Sequence, residues 1–566
     1  MRSPAKPRVS LSFFGNTIII LILALLSLLF ILKLIDSLNW RLEHDTPLLQ
    51  YAAFMMVEYQ AVPYRDFFDT NFPGTYLFHY IIGSLLGFSD TVFLTANALS
   101  LLMLMLCMYM TIRQFGWISA WSGSVLFGLV YLSGGGPMIL QRDYLGIIPI
   151  AVAFMLIPHF GRVRSRYWHF LITGIFFGLA STIKPHLLIT APVALYALWN
   201  MRYRRINYEE PDRQRTGQTK QRVDKLTDGL NTGLIMLAGI VTVWTPIVIW
   251  LIRTGAWKGF LEFTFVYIPL YSKITGTQRV LIGWQRIGYF FDSLLKFSGL
   301  GYLVLAGLFG WFNSSYFHRF AGRKRLVSRM IFYCAILYGI LYPALAGKFW
   351  PYHYMPMIYF MIPTAVLAFA DSEQQHPNDF DGLNEKESKM FQRLAKWKNA
   401  WVAVIIFLAF SMQLNLPNEI ITLMNYRSGK IYQASPVLKR VDQIALWLAL
   451  HAKPGDTVQP LDWTGGAVHG MLEAKVPLAT RFMYDYHFFH HVSHPFIQRL
   501  REEFIQSLYQ KPPRFMIEVE TDRPRVSGKD TSSDFPELKK FVVDNYQSAY
   551  RDAGYAILER KDKNSI

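Results

Sequence analysis

Apolar runs of about 16–25 residues recur along this chain, and about 20 residues is the length that spans the hydrocarbon core of a bilayer. No other feature constrains the fold as tightly. A backbone that crosses lipid must satisfy its own hydrogen bonds, so runs of this kind have to be helices packed into a bundle. They fall at roughly 11–35, 92–112, 117–133, 143–158, 168–183, 186–199, 230–252, 295–312, 329–346, 354–370 and 400–416. Composition agrees: 52% of the 566 residues are hydrophobic and 16% aromatic, with a mean hydropathy of +0.21. The first run follows Arg2, Lys6 and Arg8. It is too long for a signal-peptide core and lacks a small-x-small cleavage site, so it reads as an uncleaved anchor.

The net charge of +18 would suggest nucleic acid in a soluble protein. Here the basic residues cluster in short loops between apolar runs, a pattern that sets membrane topology, so nucleic acid is not expected as a partner. The 200–228 stretch alone carries Arg202, Arg204, Arg205, Arg213, Arg215, Lys220, Arg222 and Lys225. Cys107 and Cys334 each lie inside an apolar run, without metal-site spacing.

One apolar piece, Thr75 to Gly87, is only about 13 residues long, too short to cross. Leaving it on the outer surface gives about 11 transmembrane helices and a cytoplasmic N-terminus. It also keeps the basic 200–228 stretch inside, together with the charged 371–399 loop and an amphipathic piece near Phe391–Trp397. The expected organisation is a mainly α, polytopic bundle over 1–416 with a first outer loop over 36–91. A small extracytoplasmic α/β domain follows over 417–566. Strand-like alternation at Arg514–Val519 and Tyr555–Leu558, and helical character over Pro536–Asn545, support that last unit.

This topology gathers the polar clusters on one outer face. Three carboxylates, Asp45, Asp66 and Asp69, stand in the first loop beside His44 and Arg65. Ionisable groups at a bilayer surface are costly and are function candidates. Asp45 could be a general base for an acceptor hydroxyl or the N-cap of a helix opened by Thr46-Pro47. Asp66 or Asp69 could be a second acid, could bind a metal, or could pair with Arg65. Arg142, Asp143, Lys184, His186, Lys348, Tyr352 and His353 sit at outer helix ends. The cations among them suit a lipid-linked phosphate or snorkel to the head-group layer. In the tail, His487 and His491 are four apart and read as a surface histidine cluster. Walker, dinucleotide and nucleophile-elbow motifs do not occur.

The order of features resembles the GT-C class of membrane glycosyltransferases, and more narrowly the bacterial relatives of the dolichyl-phosphate-mannose protein mannosyltransferases. The likeness lies in an early-loop acid (Asp45), Tyr64-Arg65-Asp66, and Asn71–Gly74 before a short helix. It continues in a late Lys348–Tyr354 loop and a tail bearing Gly455–Val458, Thr480-Arg481-Phe482 and Pro512–Ile517. His44-Asp45-Thr46 replaces the family's Asp-Glu pair, and Phe72-Pro73-Gly74 its Pro-Pro.

The resemblance implies a cell-envelope enzyme of the bacterial inner membrane that transfers a sugar from a polyprenyl-phosphate donor, with inversion, to an extracytoplasmic acceptor. In that role Asp45 is the base, Asp66 or Asp69 the second acid, and Arg142, Lys184 and Lys348 hold the phosphate. The resemblance calls for no nucleotide site and fixes no cofactor, and a divalent metal is compatible with it. A transporter or flippase of lipid-linked sugars, or a non-catalytic assembly protein, is the alternative.

Overall fold

The first apolar run folds as one unbroken helix, α1 (Leu11–Ser37). In this computed structural model the described residues are 11–160, 167–209, 218–317, 320, 322–370, 401–427, 435–522 and 524–561. After α1 the chain turns into α2 (Thr46–Glu58), with Pro47 in its first turn, where an amide proton has no helical partner to lose. Pro73 likewise opens α3 (Pro73–Leu86). Then follow α4 (Asp90–Ile112), α5 (Trp117–Ser133), α6 (Arg142–Phe160) and α7 (Trp168–Ile183). At 14 residues, α3 is about 21 Å long at 1.5 Å per residue, short of a hydrocarbon core of about 30 Å.

Among the described residues five helices are long and apolar enough to cross a membrane, within Thr17–Ser37, Asp90–Phe115, Arg142–Phe160, Leu226–Arg253 and Gly322–Ala346. A bent pair, Gly283–Gly299 with Gly301–Ser314, makes up to six, and Trp117–Ser133, Trp168–Ile183 and Trp401–Leu414 are shorter apolar helices. Two expected runs are interrupted. The 295–312 run breaks where Phe297 and Ser298 take left-handed backbone, turning the chain by 82°, so its helix begins at Gly301. The 186–199 run starts as a 3-10 helix, Pro185–Thr190, before Ala191–Glu209. The 371–399 loop, including Phe391–Trp397, lies outside the described residues.

Small residues bring helices together: a Cβ at Gly174 would collide with the Met236 carbonyl, and one at Gly239 with that of Leu171. This lets α7 lie directly on the helix Gln218–Arg253.

Residues 435–561 contain a four-stranded sheet in the order Val458–Leu461, Phe515–Val519, Tyr555–Arg560, Tyr546–Asp552. The first pair is parallel and the other two antiparallel. This part does not keep its core to itself. One apolar cluster runs from Leu49 and Phe54 of α2 through Phe67, Phe68 and Phe263 to Phe482, Phe515 and Ile557. Tyr51 donates to the Val476 carbonyl at 2.9 Å, and the Phe68 amide to Arg481 at 2.7 Å. The tail is thus docked on the loop that carries the first-loop acids.

Candidate active site

Asp45 occupies the N-cap position of α2, yet its side chain makes no capping hydrogen bond. The carboxylate turns instead to His44, 3.2 Å from Nδ1, and to Arg142 at the start of α6, 4.0 Å away. Burial pushes the Asp45 carboxyl up, but the His44 imidazolium, with Arg142 and Lys184, outweighs it and holds the group below the ordinary carboxylate range. The same pair, with Asp45 as the main cause and burial opposing, raises the His44 imidazole above its usual value. His44, Leu140 and Phe349 all take left-handed backbone, with φ of 62°, 51° and 54°. They lie beside Asp45, Arg142 and Lys348, and such conformations concentrate at functional sites.

Three cations converge here in different states. The Arg142 guanidinium donates to the Thr70 carbonyl at 3.0 Å, while its Nε makes no hydrogen bond. Lys184, at the C-terminal end of α7, donates to Asp143 Oδ1 at 2.7 Å, and Tyr342 donates to the same oxygen at 2.6 Å. Lys348 is only 3% exposed and its ammonium meets no acceptor. It packs over the rings of Tyr271, at 3.8 Å, and Trp350, at 5.5 Å. Burial, then Arg286 and Arg142, push it well below the ordinary lysine value. His353 is in electrostatic contact with Lys184, Arg142, Lys348 and His186, and Tyr352 with Asp45 and Arg142. Tyr352 Oη, His353 Nδ1 and His186 Nδ1 are buried without hydrogen-bond partners. The Lys348 ammonium and these polar atoms, grouped about Arg142 and Lys184, are left unpaired, an arrangement that suits an anionic group.

Asp69 is also buried, but its lone pairs are taken. Oδ1 accepts from the Thr70 amide and the Tyr484 hydroxyl, each at 2.6 Å. Oδ2 accepts from the Tyr76 hydroxyl at 2.9 Å and from the Asn71 amide. It ties the first loop to α3 and to the tail. Asp66 and Arg65 pair with each other at 2.7 Å on the surface, where Arg65 also reaches the Thr254 carbonyl and Asp66 the Val62 amide. The structure therefore gathers His44, Asp45, Arg142, Asp143, Lys184, His186, Lys348, Tyr352 and His353, and sends Arg65, Asp66 and Asp69 to other contacts. Among the described residues, the group of three potential metal donors within mutual reach is Asp90, His469 and Glu473, which includes none of these carboxylates.

Neither a family model nor a curated protein matches this sequence. Solved structures do share its architecture. The apo structure of ArnT from Cupriavidus metallidurans superposes with a TM-score of 0.51 at 14% identity, covering 96% of this chain and 98% of ArnT. ArnT bound to undecaprenyl phosphate gives 0.48 at 13%, over 95% and 98%. The apo oligosaccharyltransferase of Archaeoglobus fulgidus gives 0.46 at 12%, over 90% of this chain and 70% of that one. The fold is of the GT-C type. At such identity the GT-C likeness is one of fold, and it rests on apo ArnT.

Sequence reasoning missed Tyr342 and Tyr271, aromatic residues that border this cluster without any motif. It also misplaced the tail histidines. His487 and His491 are buried, not a surface cluster: His487 Nδ1 lies 2.5 Å from the Tyr267 hydroxyl, and His491 Nε2 lies 3.0 Å from the Leu270 carbonyl. Their apolar surroundings come from residues some 220 positions away, which local spacing cannot reveal.

Proposed function

We propose that this chain is a membrane glycosyltransferase that moves a sugar from a polyprenyl-phosphate carrier to an acceptor outside the membrane, with inversion. The observation that carries the reading is a buried carboxylate that declines its capping role and faces Arg142, close to a lysine left without an acceptor. An open cavity of about 380 Å³ adjoins it, bordered by His44, Tyr352, Ser133 and Gln413 and for the rest mostly by apolar residues such as Val130, Met138, Leu300 and Ile358. A carrier's prenyl chain needs such a surface beside its phosphate. Shared fold alone does not fix activity, so the weight rests on this site.

In the step, the acceptor hydroxyl oxygen attacks the anomeric carbon from the face opposite the phosphate. The new carbon–oxygen bond forms as the bond to the phosphate oxygen breaks, and the electron pair leaves with the polyprenyl phosphate. Asp45 takes the hydroxyl proton. Lys348 and Arg142 stabilise the charge that grows on the phosphate, and burial of Lys348 strengthens that effect. Lys184, held by Asp143 and Tyr342, contributes positive potential. The energy of transfer is stored in the sugar–phosphate bond, so the reaction calls on no nucleotide. The acceptor is a glycan, lipid or protein of the cell envelope, and the site faces outward from a bacterial inner membrane with the tail on the same side.

The test is turnover. Purified full-length protein is incubated with a panel of polyprenyl-phosphate hexoses and pentoses, and release of carrier phosphate is measured with and without envelope acceptors. Release from one donor supports the reading. Donor binding with no release under any condition would favour a transporter of lipid-linked sugars.

A further inference from the structure

A second cluster of polar groups lies where the first outer loop meets the tail. Asp90 opens α4, and His469 and Glu473 stand one turn apart on the helix Ala467–Glu473. Nε2 of His469 is 3.5 Å from Asp90 Oδ1 and 3.5 Å from Glu473 Oε1. The donor atoms of all three lie within 4.8 Å of one another. In a tetrahedral zinc site with bonds of about 2.0–2.2 Å, neighbouring donors are about 3.3–3.6 Å apart. Two spacings already match, and the third is within 4.8 Å.

His469 supplies the independent observation. It is 4% exposed, and its Nε2 makes no hydrogen bond although it points at two carboxylates. The imidazole nitrogen thus has only long, 3.5 Å contacts to the two carboxylates, which a metal ion bound by all three would replace with short bonds. Arg41 bridges the two carboxylates: it binds Asp90 through Oδ2, at 2.9 Å, leaving Oδ1 toward the imidazole, and it holds Glu473 through Oε1, the oxygen that also faces His469, as well as Asp442. Glu43 adds a further carboxylate in electrostatic contact with both Arg41 and His469. One guanidinium among four carboxylates leaves the group strongly acidic. A cavity lined in part by Glu43, Asp462 and His469 adjoins it.

We propose that Asp90, His469 and Glu473 bind a divalent cation, Zn²⁺ by the affinity of that ion for mixed imidazole and carboxylate donors. The ion joins α4 to the tail helix beside the Arg41–Glu43 segment, which leads directly into His44 and Asp45. It touches no reacting atom, and its binding does not depend on the proposed transfer reaction.

The test is metal content. Tag-free full-length protein is stripped with EDTA, reloaded with ZnCl₂, desalted and assayed by mass spectrometry of the metal. Wild type is expected to retain about one equivalent, and His469→Ala and Glu473→Gln none above the blank. Zn²⁺ should raise the Tm of the stripped wild type and leave the Tm of both variants unmoved. Glu473 is partly exposed, so Glu473→Gln preserves the packing and reads metal loss on a folded protein, checked by a single gel-filtration peak. Wild type without zinc above the blank, or variants that hold as much as wild type, would overturn the site.

Discussion

The Asp45 carboxylate and the Arg142 guanidinium stand 4.0 Å apart, one at the start of α2 and the other at the start of α6. Both helices begin at this point, so the pair fixes where the first outer loop sits over the bundle. At this distance the two do not hydrogen-bond, so neither group is committed to the other. That leaves Arg142 to a phosphate oxygen and Asp45 to a hydroxyl.

Lys348 pays for function with stability. Its buried ammonium has no acceptor, and an unpaired buried charge is costly. Lys348→Met, of similar length, is expected to leave Tm unchanged or raise it. Loss of a charge-assisted bond worth about 1.5–3 kcal/mol should raise the KM for the donor about 10- to 100-fold. Thermal unfolding and donor titration of the same preparation check both.

Lys184 should behave in the opposite way. Its ammonium is the partner of Asp143, which is fully buried, and breaking a buried pair from one side costs about 3–5 kcal/mol. Lys184→Met is expected to lower Tm sharply, and Asp143→Asn added to it should restore much of the loss. A thermal double-mutant cycle measures the coupling.

Asp69 is expected to act through structure. An asparagine there keeps one acceptor oxygen and turns an NH₂ toward donors that Asp69 now satisfies, among them Tyr76 and Tyr484. Asp69→Asn should lose about 2–4 kcal/mol, while the fraction that remains folded still turns over. Activity normalised to folded protein, alongside a denaturation curve, separates this from loss of a catalytic acid.

The His44–Asp45 pair sets the pH range. His44 is raised above its ordinary 6.5, so its contribution to stability is complete below that value and is lost as pH rises through the raised pKa. Asp45 is lowered below 3.8, so its contribution is present above that value and is lost as pH falls through the lowered pKa. His44→Gln removes the imidazolium that holds Asp45 down, so the acid limb of kcat/KM should move to higher pH, while an alkaline limb set by the lowered Lys348 ammonium should remain.

Much of the site was legible because charge next to an apolar run is informative by itself. Asp45, Arg142, Lys184 and Lys348 were singled out by lying at helix ends on one face, and the structure brings them together. What the sequence could not show depends on distant contacts. Asp45 could cap or act on a substrate in sequence terms, and what the sequence could not show is that its side chain makes no cap bond. Asp69 and Asp66 look alike in sequence, yet one is enclosed by four donors and the other pairs with Arg65 on the surface. The 82° break before Gly301 follows from left-handed backbone at two non-glycine residues, which no composition rule announces. The tail reads as a separate unit, while its core is continuous with α2 and the 251–280 segment.

The measurement that bears most directly on this account compares wild type with Asp45→Asn under saturating donor. The substitution keeps the shape and removes the base. The account predicts that release of carrier phosphate, normalised to folded protein, falls by about 10²–10⁴-fold, the usual contribution of a general base, while donor affinity stays near wild type and Tm falls as His44 and Arg142 lose a charged partner. Turnover that survives the substitution within a few-fold would contradict it.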